Sequence, residues 1–172
     1  ELNALWSPGV VRLLAGCAPC QQFSSYANTA IVDKAKWRLL REFARLVDEC
    51  RPDLVTMENV PRLQQAQPFK DFLRALKRGG YQVAFAVANS ADYGTPQQRK
   101  RLVLVASRLG PVAMPEPTHK GCSNWVTVRQ AVGHLKKLTD GQASKDDPLH
   151  IASALSDLNR ARIRVSKPEI GR

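Results

Sequence analysis

Val10-Val11-Arg12-Leu13-Leu14-Ala15-Gly16-Cys17-Ala18-Pro19-Cys20-Gln21 joins a short apolar run to a glycine and then to a cysteine-bearing turn. Val10 to Ala15 is mostly apolar and stops at Gly16, which predicts a buried strand. The residues from Gln21 to about Lys36 are polar and small and read as a loop. Beyond them Leu39, Phe43, Leu46 and Val47 recur at helical spacing, with Arg41, Glu42, Arg45 and Asp48 on the opposite side. Pro52 acts as the stop signal of that helix. Leu54-Val55-Thr56-Met57 is the next apolar strand, with Glu58-Asn59 at its carboxyl end. Phe69, Phe72, Leu73 and Leu76 mark a second amphipathic helix closed by Gly79-Gly80. Tyr81 to Val87 and Arg101 to Ala106 read as two further strands. Strands alternating with helices predict an α/β fold, a mostly parallel sheet with flanking helices. Ligands of such open sheets bind beyond the carboxyl ends of the strands. Cys20 follows one such end and Glu58 forms the next, so the two are expected at one rim.

The chain has 172 residues, 44% hydrophobic and 24% charged, which suits a globular domain with a real core. No apolar run approaches the roughly 18 residues of a membrane span. Glu1 to Trp6 carries no basic leader pattern, so a cytoplasmic protein is expected, nucleoid-associated if bacterial, with no membrane partner. The net charge of +11 favours a polyanion, nucleic acid first, over a merely solvated basic surface. The texture changes near Gly110, where Pro111, Pro115 and Pro117 punctuate the chain. Residues 1–110 are read as one part and 111–172 as a linker and the start of another. In the second, Thr127 is positioned to cap a short helix from Val128 to Leu135. Thr139 to Asp147 is a polar loop, and Asn159 to Arg172 a basic tail.

Of the four cysteines, Cys17, Cys20, Cys50 and Cys122, none is expected in a disulfide framework. Cys17-x-x-Cys20 admits redox exchange, a metal site, or a nucleophilic Cys20 with Cys17 as a small buried neighbour. The pair alone ranks redox first. A zinc site lacks two further ligands at suitable spacing, so no metal is expected. Glu58 at a buried strand end is costly unless paired or functional, although a surface capping role is its plainer reading. Strict alternation through Pro96-Gln97-Gln98-Arg99-Lys100-Arg101 places Gln97, Arg99 and Arg101 on one side. That row is either a solvated strand entrance or a pair of guanidinium forks aimed at an anionic or carbonyl-bearing ligand.

Three segments taken together resemble the DNA cytosine-5 methyltransferase family. They are Gly16 to Ser24 after a strand, Met57-Glu58-Asn59-Val60 at the end of the next, and Tyr93-Gly94-Thr95-Pro96-Gln97-Gln98-Arg99-Lys100-Arg101 before a later one. They stand in the family's order. A looser likeness runs on through Pro115-Glu116-Pro117-Thr118-His119, Val126 to Arg129 and Asp147-Pro148-Leu149-His150 to Arg162-Ile163.

The resemblance implies a Rossmann-like methyltransferase fold and a role for each matching residue. Cys20 attacks C6 of a flipped cytosine, and Pro19 shapes the turn. Glu58 meets the N3 edge. Arg101 meets O2, with Arg99 and Gln97 organising the site. Asn59 braces the catalytic loop, Gln21 and Ser24 belong to the part that closes over DNA, and Leu39 contacts the cofactor. The implied cofactor is S-adenosylmethionine and the implied partner double-stranded DNA, in a restriction–modification setting. Against the family pattern, the chain opens at what corresponds to the fourth strand. The N-terminal cofactor-binding strands are therefore expected to be lacking, leaving an unpartnered sheet edge and implying a complementing chain or homo-oligomer. Gln22 and Lys36-Trp37-Arg38 also depart from the pattern. A catalytically silent DNA- or partner-binding fragment of the same fold is the alternative.

Overall fold

The computed structural model describes residues 2–17 and 38–166. Four strands, β1 (Leu13–Gly16), β2 (Leu54–Asn59), β3 (Gln82–Asn89) and β4 (Lys100–Ser107), form one sheet in the order β1-β2-β4-β3. Two helices separate the first three strands: α1 (Arg38–Cys50) and α2 (Gln67–Arg78). β1 and β2 pair in parallel, whereas β4 is antiparallel to both β2 and β3. β1, β2 and β3 therefore point the same way, and β4 turns back and inserts between β2 and β3. Helical crossovers return the chain to the starting end of the sheet. The link from β3 to β4 carries only a 3-10 turn (Ser90–Tyr93) and a loop, too little for a crossover.

Alternation along β2 buries Val55, Met57 and Asn59 and leaves Leu54, Thr56 and Glu58 half-buried on the other face. Register continues the buried face across the sheet, with Val55 against Ala106, Met57 against Leu104 and Asn59 against Leu102. Leu40, Phe43 and Val47 of α1 and Phe69, Phe72 and Leu76 of α2 join these residues in one core. Burial of each such side chain stabilises the fold by about 1.5–3 kcal/mol. Phe43 and Phe72 meet with ring centroids 5.6 Å apart. The close seating of α1 depends on Gly16, because a Cβ there would stand 2.4 Å from Phe43 Cε2.

The amino end of β2 is pinned from three sides. The Arg12 backbone N–H donates to Asp53 Oδ2 at 2.9 Å, and Asp53 and Leu54 donate back to the Arg12 carbonyl. Tyr81 donates its hydroxyl to the Pro52 carbonyl at 2.6 Å, with Arg108 over its ring. Arg51 adopts a left-handed backbone (φ 43°), and the Arg12 and Arg108 guanidinium groups both donate to its carbonyl. These contacts offset the cost of a conformation that side chains other than glycine rarely take. They also fix the start of the strand whose far end carries Glu58.

Some boundaries differ from the sequence expectation. β1 begins at Leu13 rather than Val10, with the Arg12 backbone taken up by Asp53, and it is an exposed to half-buried strand rather than the buried one expected. The buried stripe of α1 is Leu40, Phe43, Val47 and Cys50, which turns Leu39 outwards. β2 runs on through Glu58 and Asn59. The helix after Thr127 is shorter than expected, α3 (Val128–Val132). A further helix, α4 (Asp157–Val165), occupies part of the basic tail. Its N-cap is Ser156, whose side chain accepts from the Asn159 backbone N–H.

The chain divides into two compact units, Glu1–Val128 and Arg129–Arg172. The second contains a β-bridge between Ala143 and Ile151 and an Asp140–Arg160 ion pair at 2.8 Å. No helix among the described residues is long and apolar enough to cross a membrane.

Candidate active site

The parallel register that sets Gly16 beside Met57 brings the next residues, Cys17 and Glu58, side by side at the carboxyl rim. Glu58 projects from the face of β2 opposite the helices, because its neighbours Met57 and Asn59 are buried. On the antiparallel partner Glu58 stands opposite Val103, and Arg101, two residues away, shares that face. The outcome is a row across three strands. Arg101 Nε donates to Glu58 Oε1 at 2.7 Å, and the Cys17 thiol donates to Glu58 Oε2 at 3.0 Å. Both carboxylate oxygens are thus partnered, with the Glu58 side chain 37% exposed and that of Arg101 27%. Arg101 also donates through Nη1 to the Lys100 carbonyl at 2.8 Å, which limits its swing.

Asn59 is 3% exposed, and its Oδ1 accepts the Val60 backbone N–H at 2.8 Å. That bond sets the turn into the short 3-10 helix Pro61–Gln65, whose Leu63 is buried in the core. Gln97 and Arg99 lie in the loop before β4, so strict alternation does not extend to them. The loop is held by its backbone: Ser90 Oγ donates to the Gln97 carbonyl at 2.6 Å, and Arg99 N–H donates to Asn89 Oδ1 at 3.0 Å. Both side chains are exposed, and among the described residues that of Arg99 has no ion-pair partner. Of the two guanidinium groups, Arg101 joins Glu58 and Arg99 faces outwards. Cys20, Pro19, Gln21 and Ser24 lie outside the described residues.

Two features of the site escape a reading by motif. Cys17 is exposed rather than a small buried neighbour, and its thiol is spent on Glu58. Counting one residue past paired strand ends is the signal that would have found it. The second feature is the brace behind Tyr93-Gly94. Trp125 Nε1 donates to Asp92 Oδ1 at 2.7 Å, His119 N–H donates to the Asp92 carbonyl at 2.8 Å, and Tyr93 donates its hydroxyl to the Pro115 carbonyl at 3.0 Å. Gly94 is left-handed (φ 82°) and lies under the His119 ring, 2.9 Å from where a Cβ would stand. The segment from Pro115 to Trp125 thereby packs on the loop that leads to Arg99 and Arg101.

The described residues do not by themselves make a site for S-adenosylmethionine. Leu39 lies in the first turn of α1, 46% exposed and outside the core. A cavity of about 530 Å³ lies between α1 and α2, lined by Arg41, Arg45, Arg51 and Arg78 together with Asp48 and Asp71. Among the described residues no three His, Cys, Asp or Glu side chains converge to hold a metal ion.

A mixed α/β sheet thus carries a thiol, a carboxylate and a guanidinium, Cys17, Glu58 and Arg101, together at one rim. Residues 8–167 match the family of C-5 cytosine-specific DNA methylases. The chain is 42% identical over 171 residues to the type II methylase M.HgiDII of Herpetosiphon aurantiacus, covering 98% of this chain and 48% of that protein. It is 31% identical to DNA (cytosine-5)-methyltransferase 1 of Rattus norvegicus, covering 94% of this chain and 11% of that protein. A solved structure of a candidate DNA modification methyltransferase encoded within an E. coli prophage superposes with a TM-score of 0.55 at 24% identity, covering 79% of this chain and 38% of that one. The chain belongs to the C-5 cytosine-specific DNA methylase family, and it spans about half the length of the Herpetosiphon relative.

Proposed function

We propose that the protein is a DNA cytosine-5 methyltransferase and that this chain carries the part that activates the pyrimidine. Residues 1–110 are assigned to catalysis, and 111–172 lead towards target recognition. The observation that carries the reading is the Cys17–Glu58–Arg101 row at the rim, with Glu58 held on both oxygens. Cys20 follows Cys17 by three residues, and three residues of chain span about 11 Å at most.

Cytosine C5 is a weak nucleophile, and covalent addition overcomes that. The Cys20 thiolate forms an S–C6 bond as the C5–C6 π pair shifts towards N3, and a proton from Glu58 neutralises N3. C5 is then an enamine carbon. Arg101 holds O2 against the growing charge. Arg99, with its side chain unpaired among the described residues, supplies positive charge that favours the thiolate. Gln97 and Asn59 fix the flanking loops, and Pro19, Gln21 and Ser24 shape the pocket and the DNA contact. S-adenosylmethionine, the family's methyl donor, supplies an electrophilic methyl group when bound. Leu39 is the one described residue assigned to it, and the rest of its holding groups lie outside those described. Loss of the C5 proton, expulsion of the thiolate and return of the N3 proton to Glu58 restore the ring and the free enzyme. The base is reached by flipping it from double-stranded DNA, at a cost of a few kcal/mol.

Methyl transfer from labelled S-adenosylmethionine to duplex DNA tests the reading, using the protein as its gene encodes it. Label in 5-methylcytosine, lost on Cys20→Ser, is the expected result. The second reading is a catalytically silent DNA- or partner-binding fragment of the same fold, which the net charge of +11 would also suit. It predicts DNA binding without methyl transfer.

A further inference from the structure

We propose that Cys17 is a positioning residue for Glu58, and that its thiol sets the carboxylate plane in which Glu58 meets the pyrimidine. The inference rests on the reading of Glu58 given above. Arg101 reaches Glu58 Oε1 through Nε at 2.7 Å and spends Nη1 on the Lys100 carbonyl. One such contact leaves the carboxylate able to turn about its last torsion, which is broad for an sp³–sp² bond. The Cys17 thiol reaches Oε2 at 3.0 Å from the neighbouring strand and removes that freedom. The two donors approach from β1 and β4 on either side of β2, so the carboxylate is fixed by the sheet's own register.

The chemistry of the donor suits the task. A thiol is a weak hydrogen-bond donor, and each carboxylate oxygen has room for a second partner. Cys17 can therefore orient Glu58 without competing strongly with the incoming N3 edge of the pyrimidine. Small errors of orientation slow proton transfer far more than they weaken binding, since the DNA contacts lie elsewhere. Cys17 thus acts through Glu58 and is not itself expected to touch the base.

The test is covalent trapping by duplex DNA containing 2-pyrimidinone in place of cytosine, which records addition at C6 without methyl transfer. The flanking sequence is randomised, and the protein is used as its gene encodes it. Cys17→Ala removes the donor and should lower the maximal trapping rate about tenfold at an unchanged half-saturating DNA concentration. Cys17→Ser keeps a donor and should stay within about threefold of the parent. In a Glu58→Gln background Cys17→Ala should have no further effect, because its influence runs through that carboxylate. A parent-like rate for Cys17→Ala, a change confined to DNA half-saturation, failure of serine to rescue, or an equal loss in the Glu58→Gln background would each overturn the assignment. Absence of any adduct in the parent protein would instead sink the methyltransferase reading, and this inference with it.

Discussion

Glu58 accepts from Arg101 on one oxygen and from Cys17 on the other, at the rim to which the chemistry is assigned. Glu58→Gln keeps the shape and removes the acid, and general acid catalysis is worth about 100-fold or more. We therefore expect methyl transfer to fall by at least that factor, with DNA affinity within about threefold of the parent; loss of affinity with an unchanged rate would contradict the role. Asp53, at the other end of β2, is a structural carboxylate. The Arg12 backbone N–H, and then the Arg12 and Arg108 guanidinium groups, hold its carboxyl below the ordinary aspartate value. A lowered folded-state value favours the ionised form in the fold. The stabilisation is therefore complete above about pH 4 and is lost as pH falls through the lowered value. Urea unfolding of the parent and of Asp53→Asn should differ most near neutrality and converge in acid; a gap independent of pH would exclude the effect. Glu58 and Arg101 were legible as candidates because their types fit a motif. Cys17 was not, because its role is set by strand register, which sequence spacing does not print.

At the level of elements, the approach of α1 to the sheet depends on Gly16. Gly16→Ala forces a methyl group against the Phe43 ring, and overpacking of this kind costs about 1–3 kcal/mol. Thermal unfolding should show that loss, with partial recovery when Phe43→Leu is added; a Gly16→Ala protein as stable as the parent would mean the helix shifts freely. The strands and helices of the sheet unit were readable because apolar runs and 3.6-residue spacing report burial directly. The face of α1 was misjudged because Leu39 and Leu40 are adjacent and equally apolar, and only the packing against β1 and β2 selects Leu40. β4 was read as a strand but not as the reversed one, since direction follows from the length of the connection. α4 was hidden in a basic tail whose charge outweighed its Ser156 cap.

For the whole molecule, the net charge of +11 makes a definite demand on any DNA complex. Released counterions should make binding fall steeply with salt, by about tenfold or more between 50 and 200 mM. A salt-independent affinity would contradict a phosphate-tracking surface. The family was legible from three short segments in fixed order, yet the two halves of the chemistry were not equally so. Glu58 and Arg101, the residues proposed for the pyrimidine, meet at one rim, whereas the described residues do not by themselves make a donor site. The central claim is therefore about Cys20 and the rim that surrounds it. Intact-mass analysis of the protein after incubation with randomised duplexes carrying 2-pyrimidinone tests that claim most directly. The account predicts a covalent protein–DNA adduct mapped to Cys20 and abolished by Cys20→Ser. DNA binding with no adduct, or an adduct that survives Cys20→Ser, would contradict it.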